Sequence, residues 1–443
     1  MMKKKSGETM TEYQRFILDT VAKKSPYVAQ QLQKELNRQH RTIELIASEN
    51  YCSEAEMAAA GSWAAWKYTE GYPPVRPTGN KGRYYGGTEV FDAVEQYACE
   101  KWLEAFDAKE NYHVNVQLSD GSSANLAAYM AVLQPGDTVL SMDLNHGAHL
   151  THGSPVNFSG KLYKMEFYTT DSAGYIDMDD VRRKALACRP KAIICGASAY
   201  PRVIPFDRFR EIADEVGAYL ICDTSHISGL IVSGDHPSPF EAGADIVTTT
   251  THKTLRSERG AMIFCRKELA KKIDSAVFPG TQGGSLMNMV FAKAIGAELA
   301  CGAEYREYIH RVVKNCRTMA EKFSALGMNL VTGGTDNHLL LIDLPASGAD
   351  ISGKAVQDAL DSVFITLNKN CVPDEKRSPM QTSGVRVGTA AMTTRGFSAD
   401  DFRETAQIVT DAIRSLAVGG FDAYADSYRD RVAALIAHCN DVV

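Results

Sequence analysis

Ala244-Asp245-Ile246-Val247-Thr248-Thr249-Thr250-Thr251-His252-Lys253 is an apolar, β-branched run that ends on a histidine and a lysine. Branched side chains pack well on a pleated surface, so the run reads as a buried strand. Short apolar runs of the same kind recur at residues 114–118, 138–142, 192–195 and 219–222 before it, and at 261–264 after it. Helical patterning fills the intervals. Strands alternating with helices over residues 90–300 predict an α/β unit around a largely parallel central sheet flanked by helices.

Outward from this unit the pattern changes. Residues 11–40 are polar with a helical apolar period (Phe16, Ile17, Val21), which predicts an N-terminal helical arm. Residues 285–325 read as helix crossing to a second region. There His338-Leu339-Leu340-Leu341-Ile342, Arg386-Val387-Gly388 and a helix over 399–417 predict a smaller α+β unit. The expected division is an arm at 1–43, a large domain at 44–303 and a small C-terminal domain at 304–443. Residues 73–82, rich in Pro and Gly, read as a loop.

A net charge of −6 argues against a nucleic-acid or membrane footprint. No apolar run is long enough to span a bilayer, and the Lys-rich start lacks the apolar core of a secretory signal. The ten cysteines include no CxxC pair and read as reduced thiols, so a cytoplasmic location is expected.

In open α/β sheets ligands sit beyond the carboxyl ends of the strands. Lys253 stands at such an end, where burial eases loss of its charge. An amine of that kind can attack an aldehyde, which points to pyridoxal phosphate (PLP); the plainer reading is a solvated strand end. Ser119-Asp120-Gly121-Ser122-Ser123 opens a helix and suits a phosphate, or is a simple cap. Asp223, with His226 three residues on, can hold a pyridinium proton, or cap a helix. His149 is a candidate to stack on a flat ring. No metal is expected, because no Cys or carboxylate completes a ligand set near the histidines of residues 145–152. Glu49 and Glu70 are acid–base candidates, and Arg386 can grip a carboxylate with two hydrogen bonds or form an ordinary ion pair.

Ten blocks carry a resemblance over residues 12–420: IELIASEN (43–50), KYTEGYP (67–73), RYYGGTE (83–89), HLTHGSPVNFSGKLY (149–163), GASAYPRVI (196–204), VTTTTHKTLR (247–256), FPGTQGG (278–284), GGTDNHLLLIDL (333–344), LNKNCVP (367–373) and TSGVRVGT (382–389). On these the chain resembles the serine hydroxymethyltransferases, fold-type I PLP enzymes. The resemblance implies Lys253 as the imine lysine, Asp223 at the pyridine nitrogen and His149 on the ring. It implies His226 and Ser198 near the phenolic oxygen, and Ser122, Ser123 and His252 at the phosphate. Tyr68, Gly283 and Gly284 would reach the phosphate from a second subunit, so a homodimer with shared sites is expected. Ser48 and Arg386 would hold the amino-acid carboxylate, with Glu70 as acid–base group and Tyr85 beside the reacting side chain. Arg259 falls close behind the lysine. Leu144, Ala148, Leu150, Asn370, Ser378, Pro379 and Met380 fall where the family binds folate. The implied reaction moves the serine hydroxymethyl carbon to tetrahydrofolate, leaving glycine and methylenetetrahydrofolate.

The departures from the family pattern lie near the substrate. Residues 74–82 are an insertion, and Asp120 and Ser123 stand in the phosphate loop. Ser257 and Glu258 replace Gly-Pro after the lysine, and Ala148, Met380 and Ala390 are also altered. The alternative they suggest is folate-independent aldol cleavage of a β-hydroxy amino acid.

Overall fold

The computed structural model describes residues 10–74 and 82–439, so residues 75–81 of the expected loop lie outside the described residues. The arm is two helices, Glu12–Ala22 and Pro26–Arg41. Thr11 starts the first with a reciprocal cap to Gln14, and Ser25 with Pro26 starts the second. Phe16 on this arm is exposed. A two-residue strand, β1 (Ile43–Glu44), follows.

The main sheet contains β2 (Tyr112–Asn115), β3 (Thr138–Met142), β4 (Lys164–Tyr168), β5 (Ala192–Cys195), β6 (Tyr219–Asp223), β7 (Ile246–Thr250) and β8 (Ala261–Arg266). Their order across the sheet is β2-β8-β7-β6-β5-β3-β4. Neighbours from β7 through to β4 are parallel, and β8 runs against both β7 and β2. The central strands are buried on both faces, which explains their unbroken apolar sequence. Two expectations change. The run expected over 114–118 is a strand only over Tyr112–Asn115, and the chain to Leu118 leaves the ladder to reach the next helix. The edge strand β4 escapes the apolar pattern because Lys164 and Glu166 interleave with Met165 and Phe167 on a partly solvated edge.

The second sheet is antiparallel, with β9 (Asn329–Leu330), β10 (Leu339–Asp343), β12 (Asn368–Asn370) and β13 (Gly384–Gly388) in the order β12-β13-β10-β9. The remaining strand, β11 (Ile365–Thr366), pairs in parallel with β1. Three cores result among the described residues. The long helix Ala303–Ala325 joins two of them, giving Ile309 and Val312 to the core holding Leu140 and Phe264, and Met319 and Phe323 to the core around the second sheet.

One buried cation ties the site end of the main sheet together. Lys293, on the helix Met287–Ala300, is 1% exposed. Its ammonium donates to the carbonyls of Val116 at 2.7 Å, Leu118 at 2.7 Å and Ala261 at 3.0 Å. Burial lowers its pKa to about 7, against the raising influence of Glu95. Gly260 must be glycine for this to fit, since a Cβ there would stand 2.2 Å from Lys293 Cε. Replacing Lys293 by Met removes this donor from three buried carbonyls, of which Leu118 keeps the Ala261 N–H at 3.1 Å. We expect Lys293→Met to lower unfolding free energy by about 1–3 kcal/mol, read from a denaturant titration.

Candidate functional site

A cavity of about 710 Å³ opens at the carboxyl ends of β5, β6 and β7, between the main sheet and the β12–β13 edge of the second. Its floor is Asp223, the last residue of β6 and 8% exposed. Ser225 donates to Oδ1 from its backbone N–H at 3.0 Å and its hydroxyl at 2.6 Å. Asn125 Nδ2 donates to Oδ2 at 2.9 Å, and His152 Nε2 lies 3.1 Å from the same oxygen. Burial alone would raise the carboxyl; the His152 hydrogen bond and the electrostatic influence of His152, His149 and Lys253 outweigh it and hold Asp223 far below the usual carboxylate range. The group stays ionised.

Lys253 lies in the loop that leaves β7 and is partly buried at the cavity wall, and burial lowers its amine to about 8 against the pull of Asp223. The neighbouring His252 ring is pushed down to about 3, mainly by burial and then by the Lys253 charge. Its buried Nδ1 has no hydrogen-bond partner among the described residues.

His149 sits on the short turn after β3, with Nδ1 2.8 Å from Thr151 Oγ1. Burial and then His152 lower it to about 4, so it is a neutral, flat ring at physiological pH. His226 Nδ1 lies 3.3 Å from His338 Nε2, and the two rings stack with centroids 5.5 Å apart. Burial is the first cause of the low pKa of both, with His338 at about 3.

Arg386 comes from the middle of β13 and is 8% exposed. Nε donates to Asn368 Oδ1 at 3.1 Å and Nη1 to the Ser198 carbonyl at 2.5 Å. No Asp or Glu pairs with it among the described residues, and burial pushes it down to about 10. A buried guanidinium without a carboxylate is costly unless a ligand completes it. Ser48 is brought to the same wall because Gly388 donates to the Leu45 carbonyl at 2.7 Å. A Cβ on Gly388 would stand 2.4 Å from Ala47 Cα, so only glycine permits that approach. Glu49 also faces the cavity. Behind it, Glu44 is pushed up to about 8 by burial and by the Glu49 charge.

Of the other expected residues, Ser122, Ser198, Arg259, Leu144, Ala148, Leu150, Asn370 and Pro379 line the cavity, while Ser378 and Met380 do not. The Ser123 hydroxyl instead donates to the Asp120 carbonyl at 2.7 Å. Tyr68, Glu70, Tyr85, Gly283 and Gly284 also stay away from the lining and gather elsewhere. The Tyr68 and Tyr85 rings lie 5.0 Å apart. A Cβ on Gly284 would meet the Tyr68 ring at 3.2 Å, and one on Gly283 would meet Glu70 Oε1 at 3.3 Å. Arg83 anchors this group, donating to the carbonyls of Thr69 and Gly71 at 2.9 Å each and pairing with Asp92 at 2.6 Å and Glu95 at 2.7 Å. Gly71 is also bridged to Arg83.

Sequence reading did not single out Asn125, Thr151, His152, His338 or Asn368. Each lies within two residues of, or inside, a segment it did examine. What it lacked was direction, which the strand ends alone do not reveal.

The profile of the serine hydroxymethyltransferase family matches residues 21–409. The chain belongs to the serine hydroxymethyltransferase family. It is a PLP-dependent enzyme of one-carbon metabolism, with the fold-type I architecture of that family. The residues present suit that cofactor: an ionised floor carboxylate, an amine of lowered pKa, and an unpartnered buried nitrogen on His252. No helix among the described residues is long and apolar enough to cross a membrane.

Because the Lys253 amine is mostly protonated below about 8, its lone pair becomes free as pH rises through that value. Capture of pyridoxal by the apo-protein is expected to quicken with pH and level off above about 8, and to vanish in Lys253→Ala, as followed by absorbance.

Proposed function

We propose that the cavity holds PLP between Asp223 and His149, and that a second copy of the chain completes the site for hydroxymethyl transfer between serine and tetrahydrofolate. The observation that carries the reading is Arg386, a buried guanidinium with two neutral partners and no carboxylate among the described residues. The carboxylate of serine or glycine supplies the missing charge, with Ser48 beside it.

Bound PLP supplies an electron sink for the bond broken at the amino acid's α-carbon. The chain's own residues do the rest. Asp223 accepts the pyridine N–H, and its ionised state keeps that proton in place. His149, neutral and flat, covers one face of the ring. His226 and Ser198 approach the phenolic oxygen. Ser122 and His252 hold the phosphate, and Lys253 provides the amine. Leu144, Ala148, Leu150, Asn370 and Pro379 form the wall for the folate ring system.

Glu70 and Tyr85 belong to a cluster away from this cavity, so they serve the reaction from the second copy. There Glu70 holds or moves a proton at the serine hydroxyl oxygen, and Tyr68, Gly283 and Gly284 approach the phosphate. The surface around them supports this: Trp63, Trp66, Tyr84 and Leu286 are apolar side chains left exposed.

Arg386→Lys is expected to raise KM for serine about ten- to a hundredfold in steady-state assays, because a point-like ammonium cannot make the two parallel bonds. Mixing inactive Lys253→Ala and Glu70→Gln chains should restore about a quarter of wild-type activity, since half the dimers are mixed and each carries one intact site. No recovery would remove the shared-site reading. Tetrahydrofolate should speed exchange of a glycine α-proton with solvent deuterium, followed by NMR; cleavage of β-hydroxy amino acids indifferent to folate would favour the aldolase alternative.

A further inference from the structure

The helix Gly121–Val132 begins at the cavity wall with Asp120 as its N-cap. Asp120 Oδ1 accepts the Ser123 N–H at 2.9 Å, and the Ser119 hydroxyl donates to Oδ2 at 2.9 Å. The nearby Ser122 N–H also lowers the pKa of this carboxyl. Burial raises the Asp120 carboxyl, but these bonds outweigh it and hold the group below the usual carboxylate range. The positive end of the helix thus already faces a full negative charge belonging to the chain itself.

The same wall carries Gly121, Ser122 and His252, and the Asp120 charge is felt at the His252 ring. That ring is neutral, so it does not cancel the carboxylate. Its Nδ1 is buried beside the Gly260 backbone, so the ring offers no positive charge to offset the carboxylate. A phosphate arriving there meets N–H groups that Asp120 already engages, and a like charge beside them.

We propose that Asp120 is a built-in competitor for the cofactor's phosphate, so that this chain holds PLP less tightly than the same fold with a neutral cap would. The inference rests on the assignment of the Ser122–His252 wall to the phosphate. The competition acts on the phosphate group and not on the ring, so it distinguishes PLP from pyridoxal.

The test is equilibrium titration of the apo-protein with PLP and, separately, with pyridoxal, followed by absorbance. It compares the wild type with Asp120→Asn, Asp120→Ser and Ser122→Ala. Asn and Ser cap helices as well as Asp does, so the start of the helix is retained, and melting temperature checks it. Both Asp120 variants are expected to bind PLP about tenfold or more tightly than the wild type, with pyridoxal affinity unchanged. Unchanged or weaker PLP binding overturns the proposal, as does equal tightening of pyridoxal. Ser122→Ala separates the two possible failures. If it lowers the preference for PLP over pyridoxal while the Asp120 variants do not raise it, only the proposal falls. If it leaves the preference intact, the phosphate lies elsewhere and the assignment of the wall falls with it.

Discussion

A buried carboxylate that must stay ionised is the constraint on which the site is built. Burying a charge is expensive unless donors surround it, and Asp223 meets that need with Ser225, Asn125 and His152. Each donor drags a further element into place. Asn125 lies on the helix Gly121–Val132, so fixing it also fixes the Ser122 end of that helix. Its Oδ1 accepts from Thr248 Oγ1 at 2.7 Å, which ties in the strand leading to His252 and Lys253. Its Nδ2 also donates to Thr151 Oγ1 at 2.8 Å, and Thr151 in turn contacts the His149 ring. One carboxylate thus sets the floor, one wall and the amine.

The charges around that floor are unequal by design of the fold. His149, His252 and His338 are all driven to neutral forms, chiefly by burial, so they offer shape and hydrogen bonds without charge at neutral pH. Arg386 keeps its charge but has only a carbonyl and an amide oxygen as partners among the described residues. Lys253 titrates between these extremes. Lys293 shows the contrasting structural solution for a buried cation, since three carbonyls satisfy it and it needs no ligand. The difference between satisfied and unsatisfied buried charge separates scaffold from site.

Much of the fold was legible along the chain. The strands over 138–142 and 192–195 and the helix over 399–417 coincide with their sequence patterns, because fully buried strands and a strongly amphipathic helix leave periodic signatures. The edge strand β4 gave no apolar run, because one side of it meets water and polar residues alternate with apolar ones. Within the site, Lys253, Asp223, His149 and Arg386 were visible as residue types at strand ends or in a Gly-flanked strand. Asn125, His152 and His338 were not, because their importance lies in what they point at across long stretches of chain.

By itself, the sequence determined the α/β rhythm, the family and the identities of the groups able to do the chemistry. These follow from local pattern and side-chain type. Only the tertiary structure decided which of those groups share a cavity. It set Glu70, Tyr68 and Tyr85 apart from Lys253, turned the Ser123 hydroxyl back onto its own helix cap, and gave Arg386 neutral partners in Asn368 and the Ser198 carbonyl. The physical reason is that burial and partner geometry depend on contacts between residues hundreds of positions apart, and no local pattern records them.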